Sequence, residues 1–287
     1  MSAVRQVAAR ALEGVLPSQE APVGTFTVRR ALPGRERHAV GPWVFLDHFG
    51  PFRARPGDGV GAHPHAGIET VTYLLSGRQE HRDSAGNVGI VGAGGAQWMS
   101  AGRGIVHAEA PRPLAAADHE VHGLQLWTSL PRSHKLMAPR YQNLSADSIP
   151  VVVADGATVR VIGGTLAGAA GPAVTRMPLV VAHVTLEPGA AFEAAVPASF
   201  ELGAYVIAGA ASLGEARAAA GELAVWAAGA GAPRIANAGA APLELMVLGG
   251  EPAEGPLVFH GPFVMNSVEQ VRAAEVAYRT GRMGVVA

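Results

Sequence analysis

Apolar and polar positions alternate over short runs along the first half of the chain, with turn residues between them. The runs are Thr25-Phe26-Thr27-Val28, Trp43-Val44-Phe45-Leu46, Ile68 to Leu75, Val88 to Val91, Ala96 to Met99 and Gly123 to Trp127. Pro56-Gly57-Asp58-Gly59, Ser76-Gly77, Ser84-Ala85-Gly86-Asn87 and Ala101-Gly102-Arg103-Gly104 separate them. Strands of this length, punctuated this regularly, predict an all-β barrel or sandwich.

The second half repeats the rhythm with Val151 to Val153, Val159 to Ile162, Val180 to Leu186, Tyr205 to Ile207, Leu223 to Trp226 and Leu243 to Leu248. Tyr73-Leu74-Leu75-Ser76-Gly77 matches Tyr205-Val206-Ile207-Ala208-Gly209, a weak internal repeat that suggests two copies of one barrel. The polar segment Pro131 to Pro150 reads as the connection, so the domains are expected at 1–135 and 136–287. The tail differs. Asn266-Ser267-Val268-Glu269 looks like a helix start with Asn266 as cap, and Val268, Val271, Ala274, Val276 and Tyr278 roughly follow helical spacing up to Gly281. One short C-terminal helix is predicted.

Composition narrows the chemistry. The 287 residues include no cysteine, which removes disulfides, thiolate metal sites and thiol nucleophiles and leaves nitrogen and oxygen donors for any metal. A formal charge of −1 gives no global attraction to nucleic acid or an anionic membrane. Residues 1–14 carry Arg5, Arg10 and Glu13 and lack the uninterrupted apolar core of a signal peptide. No apolar stretch approaches the roughly 18 residues of a spanning helix. A cytoplasmic location is the expectation.

The histidines hold the most specific pattern. His63-Pro64-His65 places two imidazoles at i and i+2, on the same face of an extended strand and roughly 7 Å apart along it. His107-Ala108-Glu109 repeats that geometry with an imidazole and a carboxylate. If the two strands are neighbours inside a barrel, four donors surround one point. Other candidates fall away: Asp118-His119-Glu120-Val121-His122 lacks the spacing of a zinc-protease helix, and Gly92-Ala93-Gly94-Gly95 lacks the Gly-Lys-Ser/Thr of a phosphate loop. His38, His48, His81, His134, His183 and His260 stand singly and read as surface or satisfied core histidines. Trp98 and Met99 read first as barrel lining, close enough to His107 in sequence for one of them to border a pocket.

Gly57, His63, His65, Glu69 and Gly77 follow the spacing of the first cupin motif with one extra residue before the last glycine; the second motif is distorted around Ser100-Ala101-Gly102 and His107. With that distortion, His63-Pro64-His65-Ala66-Gly67-Ile68-Glu69-Thr70, the run Gln97 to Glu109, His122-Gly123-Leu124-Gln125-Leu126-Trp127 and the run His260 to Asn266 resemble the pirin family of bicupins. The resemblance extends from about Val28 to the C-terminal helix, and departs from the usual pattern at Ala66 (often arginine) and Ala110 (often methionine).

It implies two cupin-type β-barrel (jelly-roll) domains, with one metal ion held in the first by His63, His65, His107 and Glu109. The metal implied is Fe(II); three imidazoles and a carboxylate by themselves leave Mn, Co, Ni, Cu and Zn open. The activity implied is ring-opening of quercetin-type flavonols by dioxygen with release of carbon monoxide, Glu109 being the catalytic proton acceptor beside the ion. Glu69, the carboxylate that an ordinary cupin would use, is expected to orient a ligand imidazole instead. The partners expected are a small flavonol-like aromatic and dioxygen, without direct nucleic-acid or membrane contact. The alternative is a metal-dependent regulator whose redox state alters binding to a partner protein, without turnover. In the repeat register His63 falls on Ala195, His65 on Pro197 and Glu69 on Glu201, so the second barrel is expected to be metal-free.

Overall fold

The computed structural model describes residues 10–112 and 120–286, so Asp118 and His119 of the motif dismissed above lie outside the described residues. Twenty-six strands and a single α-helix occur among the described residues. Contacts divide the chain into two units, neither continuous in sequence. One joins the segment ending at Ser18 to Pro150–Pro252, and the other joins Gln19–Ile149 to the segment from Ala253 onward.

This division differs from a single cut near residue 135, for reasons visible in the pairing. Leu12–Pro17 pairs antiparallel with Glu222–Trp226. Leu12 and Val15 pack there on the aliphatic core built from the second half of the chain. The segment that reads as a polar connection contains a strand, Arg140–Leu144, which pairs with Ala96–Ser100 and so belongs with the first half. Both units have the same plan, a seven-stranded sheet accompanied by a four-stranded one.

In the unit built on Gln19–Ile149, the seven-stranded sheet runs Arg140–Leu144, Ala96–Ser100, Ile68–Ser76, Glu120–Ser129, Trp43–Arg53, Phe26–Leu32, Gln19–Val23. The four-stranded sheet runs Val60–His65, Ile105–Pro111, Arg78–Asp83, Val88–Gly92. Every pairing is antiparallel and most neighbours are distant in sequence, the crossed connectivity of a jelly roll. Side chains of the two sheets meet between them: Thr72 Oγ1 donates to Glu109 Oε1 at 2.7 Å, and the His65 and Trp127 rings lie 4.8 Å apart.

The helix, Val268–Arg279, is capped by Ser267, whose hydroxyl accepts from Gln270 N. Asn266, expected as the cap, uses its amide to reach the carbonyls of Glu254 and Pro256. Only Val271 and Ala274 of the helix are buried, and they pack with Phe263, Met265, Ala66 and Val106. The tail therefore closes the first barrel's core. Lys135 fastens it there: fully buried, its ammonium donates to Gly67 O at 2.7 Å, Ser129 Oγ at 2.8 Å and Val264 O at 2.7 Å. Burial pushes this lysine down to about 7, against the pull of Glu254.

Replacing Lys135 by methionine keeps the apolar stem but strips donors from buried acceptors, each worth about 1–3 kcal/mol when left unpaired. Lys135→Met is expected to cost on the order of 3 kcal/mol. Amide exchange should show the loss first, as deprotection of Phe263–Met265; unchanged protection there would contradict the latch.

Candidate metal centre

The site grows from one strand pairing. Val60–His65 and Ile105–Pro111 run antiparallel with Ile105 opposite His65 and His107 opposite His63. Residues directly opposite share a face, so the two imidazoles meet. On its other side Ile105–Pro111 pairs with Arg78–Asp83, which sets Asp83 opposite His107 and His81 opposite Glu109. A register shift between His107 and Glu109 brings Val60 opposite Glu109, one residue beyond regular pairing.

The structure gathers the expected residues unequally. His63, His65 and His107 form one group of candidate ligands, with donor atoms within 4.8 Å of one another. Glu109 belongs to a second group of the same reach, with His107 and His81. His107 is common to both. Nε2 of His63 and Nε2 of His65 approach to 3.1 Å. Their Nδ1 atoms face carbonyls: Gly61 O at 2.8 Å for His63, and Pro262 O at 3.1 Å for His65. A carbonyl only accepts, so each Nδ1 carries the proton and each Nε2 keeps its lone pair. Gly67 permits the close approach of Val264: its backbone is left-handed, and a Cβ there would strike the carbonyl of Val264.

The other expected residues lie elsewhere. Glu69 is buried and accepts from Ser100 Oγ at 2.5 Å and Thr128 Oγ1 at 3.5 Å, while backbone carbonyls orient the His63 and His65 rings. Trp98 is fully buried with its ring 6.2 Å from that of Trp43. Met99 packs in an apolar cluster with Ile68 and Ile105, against which Trp127 rests. Neither lines the cavity described below; Trp127 does.

His65 and His107 are held neutral. Burial, with a smaller contribution from His63, pushes His65 down to about 3 against the bond to Pro262. Burial and then the neighbouring rings of His65, His63 and His81 push His107 well below the usual range. Nε2 of His107 is buried without a hydrogen-bond partner among the described residues. A buried polar nitrogen in that condition costs free energy that a metal bond would recover. Neutral imidazoles, bare nitrogens and an adjacent carboxylate are the chemistry a divalent transition metal requires, and the residues present fit one.

A cavity of about 450 Å³ opens on His63, His65 and Glu109. Phe26, Phe45, Phe49, Phe52, Trp127 and Phe259 line it with aromatic rings. Phe45 stacks on Trp127 at 4.0 Å, and the Arg30 guanidinium sits 4.6 Å above the Phe45 ring. Arg30 also grips Asp47 with two bonds of 2.7 Å, a polar pair inside an aromatic wall. Burial pushes the Asp47 carboxyl up, against those hydrogen bonds.

Sequence reading missed His81 as part of this cluster. It is buried, its ring is stacked on Tyr141 at 4.5 Å, and its Nδ1 is 3.4 Å from Nδ1 of His107. The available signal was His81-x-Asp83, which has the same two-residue spacing as His63-x-His65. His48, also read as single, pairs with His122 at 2.6 Å between Nε2 atoms.

Two jelly-roll units, with a nest of neutral imidazoles in one of them, define a bicupin with a candidate mononuclear metal centre. Family comparison makes this specific: the Pirin family model matches residues 25–128 and the Pirin C-terminal cupin domain matches residues 181–284. The chain belongs to the pirin family. It is 37% identical to Pirin of Rattus norvegicus over 262 residues, covering 90% of this chain and 87% of the relative. A crystal structure of quercetin 2,3-dioxygenase from Acinetobacter baumannii superimposes with a TM-score of 0.89 at 31% identity, covering 96% of this chain and 99% of that one. Bacterial pirin YhhW from Escherichia coli, solved in complex with nickel(II), shares the fold at TM-score 0.63 and 19% identity, over 84% of this chain and 99% of that one. No helix among the described residues is long and apolar enough to cross a membrane.

The depressed histidines predict acid sensitivity. Unfolding restores a pKa of about 6.5 to the His65 ring. As pH falls from that value towards 3 the unfolded chain takes up the proton first, so stability is complete above about 6.5 and drains below it. Each such ring contributes a slope of at most about 1.4 kcal/mol per pH unit. Thermal unfolding of the metal-free protein between pH 8 and 4 should show this fall, and His65→Gln should flatten it.

Proposed function

We propose that this pirin is a metal-dependent dioxygenase that opens the ring of quercetin-type flavonols at a centre formed by His63, His65, His107 and Glu109. The observation carrying this reading is that His63, His65 and Glu109 line an aromatic-walled cavity of about 450 Å³. That volume lies in the range of about 300–1,000 Å³ typical of small-molecule sites. The 31% identical quercetin 2,3-dioxygenase from Acinetobacter baumannii supports the same substrate class. Iron(II) is the metal proposed, one ion per chain, in a cytoplasmic protein.

The bound ion would supply acidification of a flavonol hydroxyl and a meeting point for dioxygen. The protein's own groups do the rest. Stacked Phe45 and Trp127 hold a planar ring system, and the aromatic wall keeps bulk water from the reacting face. Glu109 lines the cavity and is held by Thr72 Oγ1 through Oε1, which places a carboxylate to take the substrate's hydroxyl proton. The regulatory reading draws less support from this chain, because position 66 carries a fully buried alanine packed under the C-terminal helix.

Aerobic assay of the iron-loaded protein with quercetin is expected to show flavonol loss with stoichiometric carbon monoxide. His107→Ala should abolish it, by at least about a hundredfold if the ion is its agent. Quercetin consumption that survives this substitution or chelation would remove the metal from the reaction. Glu109→Gln should weaken metal retention and turnover more than Glu69→Gln, since Glu69 is engaged with Ser100 and Thr128. Elemental analysis should give one ion per chain. Both candidate ligand groups among the described residues share His107. Two tightly bound ions would contradict the single centre.

A further inference from the structure

A histidine ligates through a ring nitrogen that is free of its proton, and the hydrogen bond at the other nitrogen decides which one that is. For His63 and His65 the carbonyls of Gly61 and Pro262 settle the matter. His107 has a different neighbour: its Nδ1 faces Nδ1 of His81 at 3.4 Å. Two imidazole nitrogens can share a proton in either direction, so this contact alone fixes nothing.

The direction is set one residue further on. Asp83 is directly opposite His107 in the sheet and is saturated with donors. Its Oδ1 accepts from Ala85 N at 2.9 Å and Asn87 N at 3.0 Å, and Oδ2 accepts from Asn87 Nδ2 at 2.8 Å. A carboxylate so surrounded can only accept, so His81 Nε2, 3.2 Å from Oδ2, must donate. With its proton committed to Asp83 through Nε2, His81 presents its other nitrogen, Nδ1, as the acceptor. His107 must place its proton on Nδ1, and its Nε2 is left bare. That Nε2 is the buried nitrogen without a hydrogen-bond partner among the described residues. Tyr141, stacked on His81 at an interplanar angle of 14°, keeps the intermediate ring in plane.

We propose that Asp83 and His81 are positioning residues for the metal, a hydrogen-bonded relay that holds His107 in the tautomer with a bare Nε2 before any ion arrives. The proposal rests on the reading of His107 as a metal ligand. It gives this ligand a side-chain orienter two residues deep, where the other two histidines use backbone carbonyls.

The test is made on metal-free protein labelled with ¹⁵N-histidine, whose long-range ¹H–¹⁵N spectra report which ring nitrogen is protonated. His107 is expected to carry its proton on Nδ1 and His81 on Nε2. His81→Phe keeps a flat ring against Tyr141 but removes the acceptor. It should give a mixture of His107 tautomers and raise the dissociation constant for zinc, as probe ion, by about 10–100-fold. His81→Gln, which retains one donor and one acceptor, should recover most of that loss. A wild-type His107 protonated on Nε2, or a His81→Phe protein with wild-type zinc affinity, would overturn the relay. Direct coordination of zinc by His81 would do the same. If His81→Phe fails to fold, the wild-type spectrum decides alone. A wild type that binds no zinc or iron overturns the premise, whereas metal binding with the wrong tautomer overturns the relay only.

Discussion

The register between Val60–His65 and Ile105–Pro111 is the constraint on which the functional half of this molecule depends. It puts His63 beside His107, and the pairing on the far side of the same strand adds Asp83 and His81. Side chains alternate faces with a period of two, so a slip of one residue would send His107 and Glu109 outward and bring Ala108 in. The register is secured from both ends. Ile105 is buried in the apolar cluster with Met99 and Val264, and Gly59 approaches the Glu109 carbonyl where a side chain would not fit.

Such a cluster of buried nitrogen donors is costly to keep. Three imidazoles crowd together, and burial disfavours the charged form of His65 and His107. A metal that binds the folded state alone would recover that cost by mass action and so link metal availability to fold stability in this unit. The other unit has the same sheet plan and a different interior. Its interior is a continuous aliphatic cluster of residues such as Val161, Val184, Leu202, Val206, Leu245 and Val247. Ala195 and Pro197 stand at the repeat positions of the two histidines.

Much of the site was legible in the sequence because its signals are short-range. Two residues at i and i+2 on a strand share a face whatever the rest of the chain does, and this rule pairs His63 with His65 and His107 with Glu109. The same rule applied to His81 and Asp83 would have brought both into view. What sequence could not supply is who sits opposite whom. Pairing Arg140–Leu144 with Ala96–Ser100, or Leu12–Pro17 with Glu222–Trp226, is a long-range choice made by burial, not by local pattern. For the same reason a contiguous domain boundary near residue 135 was the natural reading, and the interleaved division was not. The cap of the helix shows the limit at close range: Asn266 and Ser267 are both good caps, and the carbonyls of Glu254 and Pro256 decide between them.

The engagement of Pro262 O with His65, and of Val264 O with Lys135, has a bearing on how the protein is made. The ribosome delivers His65 first and the segment that steadies it about two hundred residues later. Until that segment emerges the nascent barrel has an unfinished floor beneath the histidines. Full assembly of the cluster thereby waits on Pro262 and Val264, so a chain released before them would carry the histidines without the brace.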